Sequence, residues 1–184
     1  MKSILDECGL SYVWFNQYFD GGKNILVKLV ENSFKSQYLQ TWSSSVNESG
    51  KCYNYKIYKT EHKLENFYCS LPDVHIQTLV NFRLCNNHMP VEKCRWLGIN
   101  RQDRRCTLCN MLDIGDEFHY LFRCTHFNND RNKYLPFIRR IPANVLSFRN
   151  IMLENDTEKL IKLCKFVSIV MKTLKNPPGN LNTH

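Results

Sequence analysis

Three cysteines and one histidine with the spacing of metal ligands lie in the segment CTLCNMLDIGDEFHYLFRC, residues 106–124. Cys106 and Cys109 form a Cys-x-x-Cys pair, and four residues separate His119 from Cys124. A Cys-x-x-Cys turn brings two thiolates to one ion, and a His and a Cys about one helical turn apart can complete a tetrahedron. Because these four groups would fill every position on Zn²⁺, the sequence predicts a structural zinc site rather than a catalytic one.

Other ligands and other chemistry are compatible with the same segment. His126 lies about two helical turns, or ~10 Å, beyond His119 if the helix continues, so both cannot easily bind one ion. Cys94 is nearby but would give a looser spacing. Cys106 and Cys109 could instead be a redox pair, although such a pair normally begins a helix beside a βαβ pattern, which we do not find. The four residues could also be unrelated members of a chain with nine cysteines.

The composition favours a basic intracellular protein. The chain has 184 residues, enough to bury a core, and 25 Lys and Arg against 17 Asp and Glu give a net charge of +8. The first residues, MKSILDECGLSYVW, contain acids and no continuous apolar run, so we expect no signal peptide. No segment approaches the ~20 apolar residues of a transmembrane helix, and we expect no membrane partner. We therefore expect a nuclear or cytoplasmic protein that is not secreted, where clustered cysteines more often bind metal than form disulfides.

Helices should position the predicted zinc site. Large apolar residues recur every four positions from Leu26 to Trp42, which predicts an amphipathic helix after Gly21–Gly22 that ends in the polar stretch 43–51. Residues 53–71 fit either a short strand or a helix start. Pro72 suits the first turn of a helix.

The carboxyl-terminal part is also predicted to be helical. A short helix should be interrupted at Pro136, and Asp156 or Thr157 should cap a final helix. The apolar face of that helix comprises Leu160, Leu163, Cys164, Val167 and Met171. The predicted fold is mainly α: a multi-helix domain with a small zinc-knuckle hairpin inserted between helices. Its regions are a helical linker-like part (1–93), the knuckle with basic flanks (94–140), carboxyl-terminal helices (141–176) and a disordered tail (177–184).

Positive charge is concentrated on both sides of the predicted ligands. Residues 93–105 and 123–140 are strongly basic, whereas 106–122 contain three acids and no Lys or Arg. Zinc binding would bring the flanks together, so that their arginines could bind phosphate while Trp96 or Tyr120 stacked on unpaired bases. The candidate contacts to an RNA or DNA backbone are Arg95, Arg101, Arg104, Arg105, Arg123, Arg131 and Lys133.

Each of these residues also has a purely structural interpretation. Arg83, in the preceding helix, could pair with Glu92 rather than meet a phosphate. Three aromatic residues could pack around a small core instead of stacking on bases. They are Trp96, Phe122 and Tyr134. The three acids of this segment could cap a helix or pair with arginines. These acids are Asp113, Asp116 and Glu117.

The sequence from Leu79 to Leu135 resembles the zinc-binding region near the carboxyl end of reverse transcriptases from non-LTR retrotransposons. In that family a Cys-x-x-Cys precedes an acidic stretch, a His, a short apolar run and a Cys. The matching residues are Cys106, Cys109, Glu117, His119, Leu121, Phe122 and Cys124. Upstream, Phe82–Arg83, NNHMPVE and NRQDRRC correspond to the family's helix, loop and basic run, and the resemblance covers most of residues 8–135.

The resemblance implies a module that positions nucleic acid for target-primed reverse transcription, with little base readout. The chain has no Asp-Asp pair of the kind that holds two metal ions in a polymerase palm, so we expect no enzyme activity and no small-molecule substrate. It would then be a detached carboxyl-terminal piece of such a reverse transcriptase. The alternative is a zinc-stabilised protein-interaction scaffold whose positive charge only favours solvation.

Overall fold

The computed structural model describes residues 1–51 and 53–177, and these described residues form two units, Met1–Glu48 and a second one that begins at Ser49. The described residues contain ten α-helices and four 3-10 helices and no β-strand, which confirms the predicted mainly α, multi-helix fold. Apart from Pro177, the predicted disordered tail lies outside the described residues, as does Cys52. The boundaries predicted near residues 93 and 140 stay predictions.

The first unit consists of α1 (Lys2–Glu7), α2 (Ser11–Asn16) and α3 (Gly22–Glu48). The predicted helix after the glycine pair is therefore confirmed, but no residue of α3 is buried, and Phe34 and Tyr38 of its predicted apolar face are exposed. Its predicted end was wrong, because α3 continues through Ser43–Glu48 and stops only before Gly50. Serine and asparagine lower helix propensity without breaking a helix, so a polar run alone does not end one.

The second unit places seven helices around one apolar core. They are α4 (Phe67–Ser70), α5 (Asp73–Arg83), α6 (Pro90–Trp96), α7 (Glu117–Phe122), α8 (Asn128–Tyr134), α9 (Val145–Met152) and α10 (Thr157–Lys175). Residues 53–71, for which strand and helix were both open, form the 3-10 turn Tyr55–Ile57 and the short α4. The predicted interruption at Pro136 is confirmed, because α8 ends at Tyr134 and a 3-10 turn follows.

Helix α10 is central to the core and packs against α5 and α8. Asp156 caps it by accepting hydrogen bonds from the backbone N–H groups of Glu158 and Lys159, as the sequence predicted. The predicted apolar face is buried except at Met171, which is half-buried. The residues of α10 therefore belong to the same core as Cys106 and Cys124 of the predicted zinc site.

Candidate metal centre

The four predicted ligands meet at one point in the second unit. One ligand atom from each of Cys106, Cys109, His119 and Cys124 lies within 4.8 Å of the others. The sulfurs of Cys106 and Cys124 are 3.9 Å apart, and Cys109 Sγ lies 3.4 Å from His119 Nε2. Ligands of a tetrahedral ion bound at ~2.3 Å are about 3.5–4 Å apart, so this group can hold a metal ion. The rivals Cys94 and His126 are not part of it.

A short hairpin positions the first two ligands. Arg105 and Ile114 form an antiparallel bridge, and the Cys106 N–H donates to the Asp113 carbonyl at 2.9 Å. The Leu108 N–H donates to Cys106 Sγ at 3.4 Å, which directs the sulfur inward across the Cys-x-x-Cys turn. The hairpin predicted from the sequence is therefore present, although a single bridge holds it rather than paired strands.

Helix α7 positions the other two ligands. Asp116 caps this helix by accepting a hydrogen bond from the His119 N–H at 3.0 Å, so the cap fixes the ligand residue itself. The Cys124 N–H donates to the His119 carbonyl at 2.8 Å, which continues the turn beyond the helix end. Asp116 also pairs with Arg101, so its expected role as a cap and ion-pair partner is confirmed.

The Asp113 carboxylate fixes the ring of His119. Asp113 Oδ2 lies 3.2 Å from Nδ1, which leaves Nε2 directed at the cysteines. A carboxylate behind an imidazole in this way orients a metal-binding ring and makes it a stronger ligand. The same carboxylate oxygen lies 3.6 Å from an Arg123 nitrogen.

The ionisation of the cluster suits a cation. The hydrogen bond from the Cys124 thiol lowers the pKa of Cys106 to about 3, and the same pairing raises the pKa of Cys124. Burial alone would lower the pKa of His119, but hydrogen bonds and charge from Cys106 and Asp113 raise it overall. Cys106 is therefore the readily ionised ligand, and a metal ion that binds all four groups would displace protons from Cys124 and His119.

Two contacts that the sequence did not predict, one through Gly115 and one through Asn54, connect the ligand segment to neighbouring elements. The Val91 N–H, at the start of α6, donates to the Gly115 carbonyl at 3.2 Å. A Cβ at Gly115 would lie 2.7 Å from Pro90 Cγ, so no larger side chain fits there. Asn54 Nδ2 donates to Glu117 at 2.6 Å and to Asp116 at 3.2 Å. No local sequence signal pairs Asn54 with acids more than sixty positions away.

Several of the predicted nucleic-acid contacts bind within the chain instead. Arg131 donates from Nε and one terminal nitrogen to the carbonyls of Tyr120, Leu121 and Cys124, and from the other nitrogen to Asn128. Arg104 donates to two backbone carbonyls, at 2.8 and 2.9 Å. The other two internally bound arginines are Arg95, paired with Glu92, and Arg101, paired with Asp116.

The remaining predicted contacts are exposed. They are Arg105, Arg123 and Lys133. Arg105 and Arg123 come from opposite flanks, yet they line one cleft together with Asp113, Phe118 and His119. At this point the two basic flanks meet.

Other expectations for individual side chains were corrected. Arg83 pairs with Glu65 rather than with Glu92, because Glu92 is already bound by Arg95. Trp96 is 75% exposed and is not a core residue, whereas Tyr120 is fully buried and has no face for a base. Phe122 and Tyr134 are half-buried against the core.

Comparison of the chain with models of protein families, with curated proteins and with solved structures finds no match. Among the described helices, none combines the length and apolar character needed to cross a bilayer. The site is therefore interpreted from its own geometry.

Proposed function

We propose that the protein is a nucleic-acid-binding module stabilised by zinc, of the kind found near the carboxyl end of non-LTR retrotransposon reverse transcriptases. The observation that carries the proposal is the meeting of the basic flanks beside the ligand cluster. Arg105 immediately precedes the ligand Cys106, Arg123 immediately precedes the ligand Cys124, and both line the same cleft.

Zinc is the metal that this donor set favours. Three thiolates and one imidazole are soft and borderline ligands in a tetrahedral arrangement, and they leave no open position for water. Cys106, His119 and Cys124 are buried, which suits an ion that holds a fold together. We accordingly propose a structural zinc and no enzyme activity of the module itself.

Metal content tests the zinc proposal. Protein purified without added zinc should contain about one zinc per chain, and Cys124→Ala should lose it together with helical signal. Cys164→Ala is the matched control, since this cysteine is also buried but lies outside the cluster. Equal zinc content in both variants would refute the assignment.

The exposed cations favour binding to the phosphate backbone. Arg105, Arg123 and Lys133 are exposed, although Arg105 donates one hydrogen bond to the Leu112 carbonyl and Arg123 lies beside Asp113. By contrast, Arg104 and Arg131 are half-buried and bind two and three backbone carbonyls. Arginine side chains bind phosphate with two hydrogen bonds and carry no sequence information in doing so. We therefore propose RNA or DNA binding with little base readout.

The dependence of affinity on salt tests this binding. Replacing both Arg105 and Arg123 by Ala should reduce the slope of log Kd against log salt by about 1.4 to 1.8, which corresponds to two lost phosphate contacts. The control is Lys165→Ala with Lys175→Ala, which removes the same charge from exposed positions of α10. Zinc content must be unchanged in both double variants.

A protein-interaction scaffold is the second candidate. It is supported by the exposed apolar side chains near the hairpin, namely Leu97, Met111 and Leu112. A scaffold would show nucleic-acid affinity that is negligible or unaffected by the Arg105 and Arg123 substitutions. That result would favour the scaffold over the nucleic-acid module.

A further inference from the structure

Trp96 is a large aromatic residue that the fold leaves in solvent. It ends α6 with 75% of its surface exposed, and the next residue, Leu97, is 74% exposed. Isolated exposed apolar residues need no explanation, but an exposed tryptophan held in a fixed orientation is a common feature of binding surfaces.

The carboxylate of Glu92 holds Trp96 in place. Glu92 Oε1 accepts hydrogen bonds from Trp96 Nε1 at 3.1 Å and from an Arg95 terminal nitrogen at 2.8 Å, and Oε2 accepts from Arg95 Nε at 2.9 Å. Glu92 itself is buried. One buried carboxylate therefore orients two neighbouring side chains, and little rotational freedom is left to lose on binding.

Arg95 and Trp96 also contact each other. The guanidinium carbon lies 4.4 Å from the centre of the indole ring, which is within the distance of a cation–π contact. Lys93, on the same helix, is exposed and adds positive charge. The exposed indole ring offers a face for stacking, and the ammonium group of Lys93 attracts phosphate, whereas two Arg95 donors are bound by Glu92.

We infer that Trp96 and Arg95 form a platform on which an unpaired base stacks, so that the nucleic acid bound is single-stranded. This inference rests on the proposed function. A base within a duplex is already stacked on both faces, whereas an unpaired base can place a free face on an indole ring. The exposed positive charge of Lys93 favours this occupant over an apolar protein surface.

Fluorescence can report on the platform directly. In a Trp14→Phe, Trp42→Phe background Trp96 is the only tryptophan, and a short oligothymidine or oligouridine should quench its emission on binding. A duplex of matched length should leave the emission nearly unchanged.

Affinities of zinc-loaded variants for the same labelled oligonucleotides complete the test. Trp96→Ala should weaken single-strand binding by about 5- to 150-fold, the range expected for one stacked base, and Trp96→Phe should retain most of the affinity. Leu97→Ala is the matched control, because it removes an equally exposed apolar side chain without a π-face. Duplex affinity should change little in any of the three variants.

The outcomes separate this inference from the proposed function. If Trp96→Ala binds single strands as tightly as the unmodified chain does, the stacking platform is refuted, whereas the proposed nucleic-acid-binding function is supported. An equal loss for single strands and duplex would also overturn the platform, since stacking on an unpaired base would not cause it. If the zinc-loaded protein binds neither form, both proposals fail.

Discussion

At the scale of single residues, Asp113 orients the His119 ring toward the other candidate metal ligands. Its carboxylate oxygen lies 3.2 Å from His119 Nδ1, and the other ring nitrogen faces Cys109. Asp113→Ala should therefore weaken zinc binding by about 10- to 100-fold, as measured by competition with a chromophoric chelator.

Asp103→Ala is the control for this substitution, because Asp103 is an exposed acid just before the hairpin and outside the ligand cluster. Far-ultraviolet circular dichroism of both zinc-loaded variants should match that of the unmodified protein. An Asp113 variant with full zinc affinity would show that the ring is oriented by other contacts.

Glu117 makes stability depend on pH. Burial raises the pKa of Glu117 to about 7, with a further contribution from the neighbouring Asp116 charge. A carboxyl group whose pKa is higher in the folded state contributes stability below its unfolded pKa, near 4.5, and this contribution is lost as pH rises through about 7. Glu117→Gln removes this titration. The free energy of unfolding of the variant, relative to that of the unmodified chain, should therefore rise by about 3 kcal/mol between pH 4.5 and 7.5.

Urea unfolding of the zinc-loaded proteins at several pH values measures this difference. Taking the difference between variant and unmodified chain cancels the titration of the metal ligands, which both proteins share. A difference that does not change with pH would mean that folding does not shift the pKa of Glu117.

At the scale of elements, Arg131 of α8 binds the carboxyl end of α7 through hydrogen bonds. Its guanidinium donates to the carbonyls of Tyr120 and Leu121, which lack a helical partner where α7 ends, and to the Cys124 carbonyl, which also accepts from the Phe127 N–H. Arg131→Ala should therefore lower the free energy of unfolding by about 2–4 kcal/mol, because buried acceptors lose a charged donor.

Lys133→Ala is the control, since it removes an exposed cation from the same helix. Its effect on urea unfolding should stay within about 0.5 kcal/mol. If Arg131→Ala changed the free energy of unfolding equally little, the carbonyl oxygens would have to accept hydrogen bonds from water in the variant.

Local patterns predicted the long elements well. The four-residue spacing of large apolar residues predicted α3, and a capping residue with an apolar face predicted α10. The end of α3 was missed because serines continue a helix when no glycine or proline stops it. The predicted metal ligands meet because their spacing involves only a hairpin and one helical turn.

Long-range partners could not be predicted in this way. The pairing of Arg83 with Glu65, and the contact of Asn54 with Glu117, depend on how distant elements pack. Arg131 resembled a phosphate contact in the sequence because charge alone does not show which carbonyls lack a partner. Trp96 resembled a core residue because hydrophobicity does not show which helix face meets solvent.

At the scale of the whole molecule, the metal ligands are part of the core. Cys106 and Cys124 belong to the same apolar cluster as Leu163 and Phe166 of α10. Removing the ion should therefore destabilise the unit that begins at Ser49, not just the hairpin.

Chelation should lower the melting temperature by more than ~10 °C, since a structural zinc contributes ~10 kcal/mol or more of apparent binding free energy. Circular dichroism with and without chelator measures the shift, and added zinc should reverse it. An unchanged melting temperature in the fully demetallated protein would show that the core folds independently of the ion.

The contact between Gly115 and Pro90 limits how this sequence can diverge. A methyl group at Gly115 would collide with the proline ring that begins α6, while Leu112, at the tip of the same hairpin, is exposed. Substitutions at Leu112 should therefore be tolerated better than any at Gly115, provided that they suit the positive φ of 57° at the tip. The sequence that this fold requires is then longer than four ligands: Cys-x-x-Cys, a glycine without room for a side chain, and an acidic pair before the histidine.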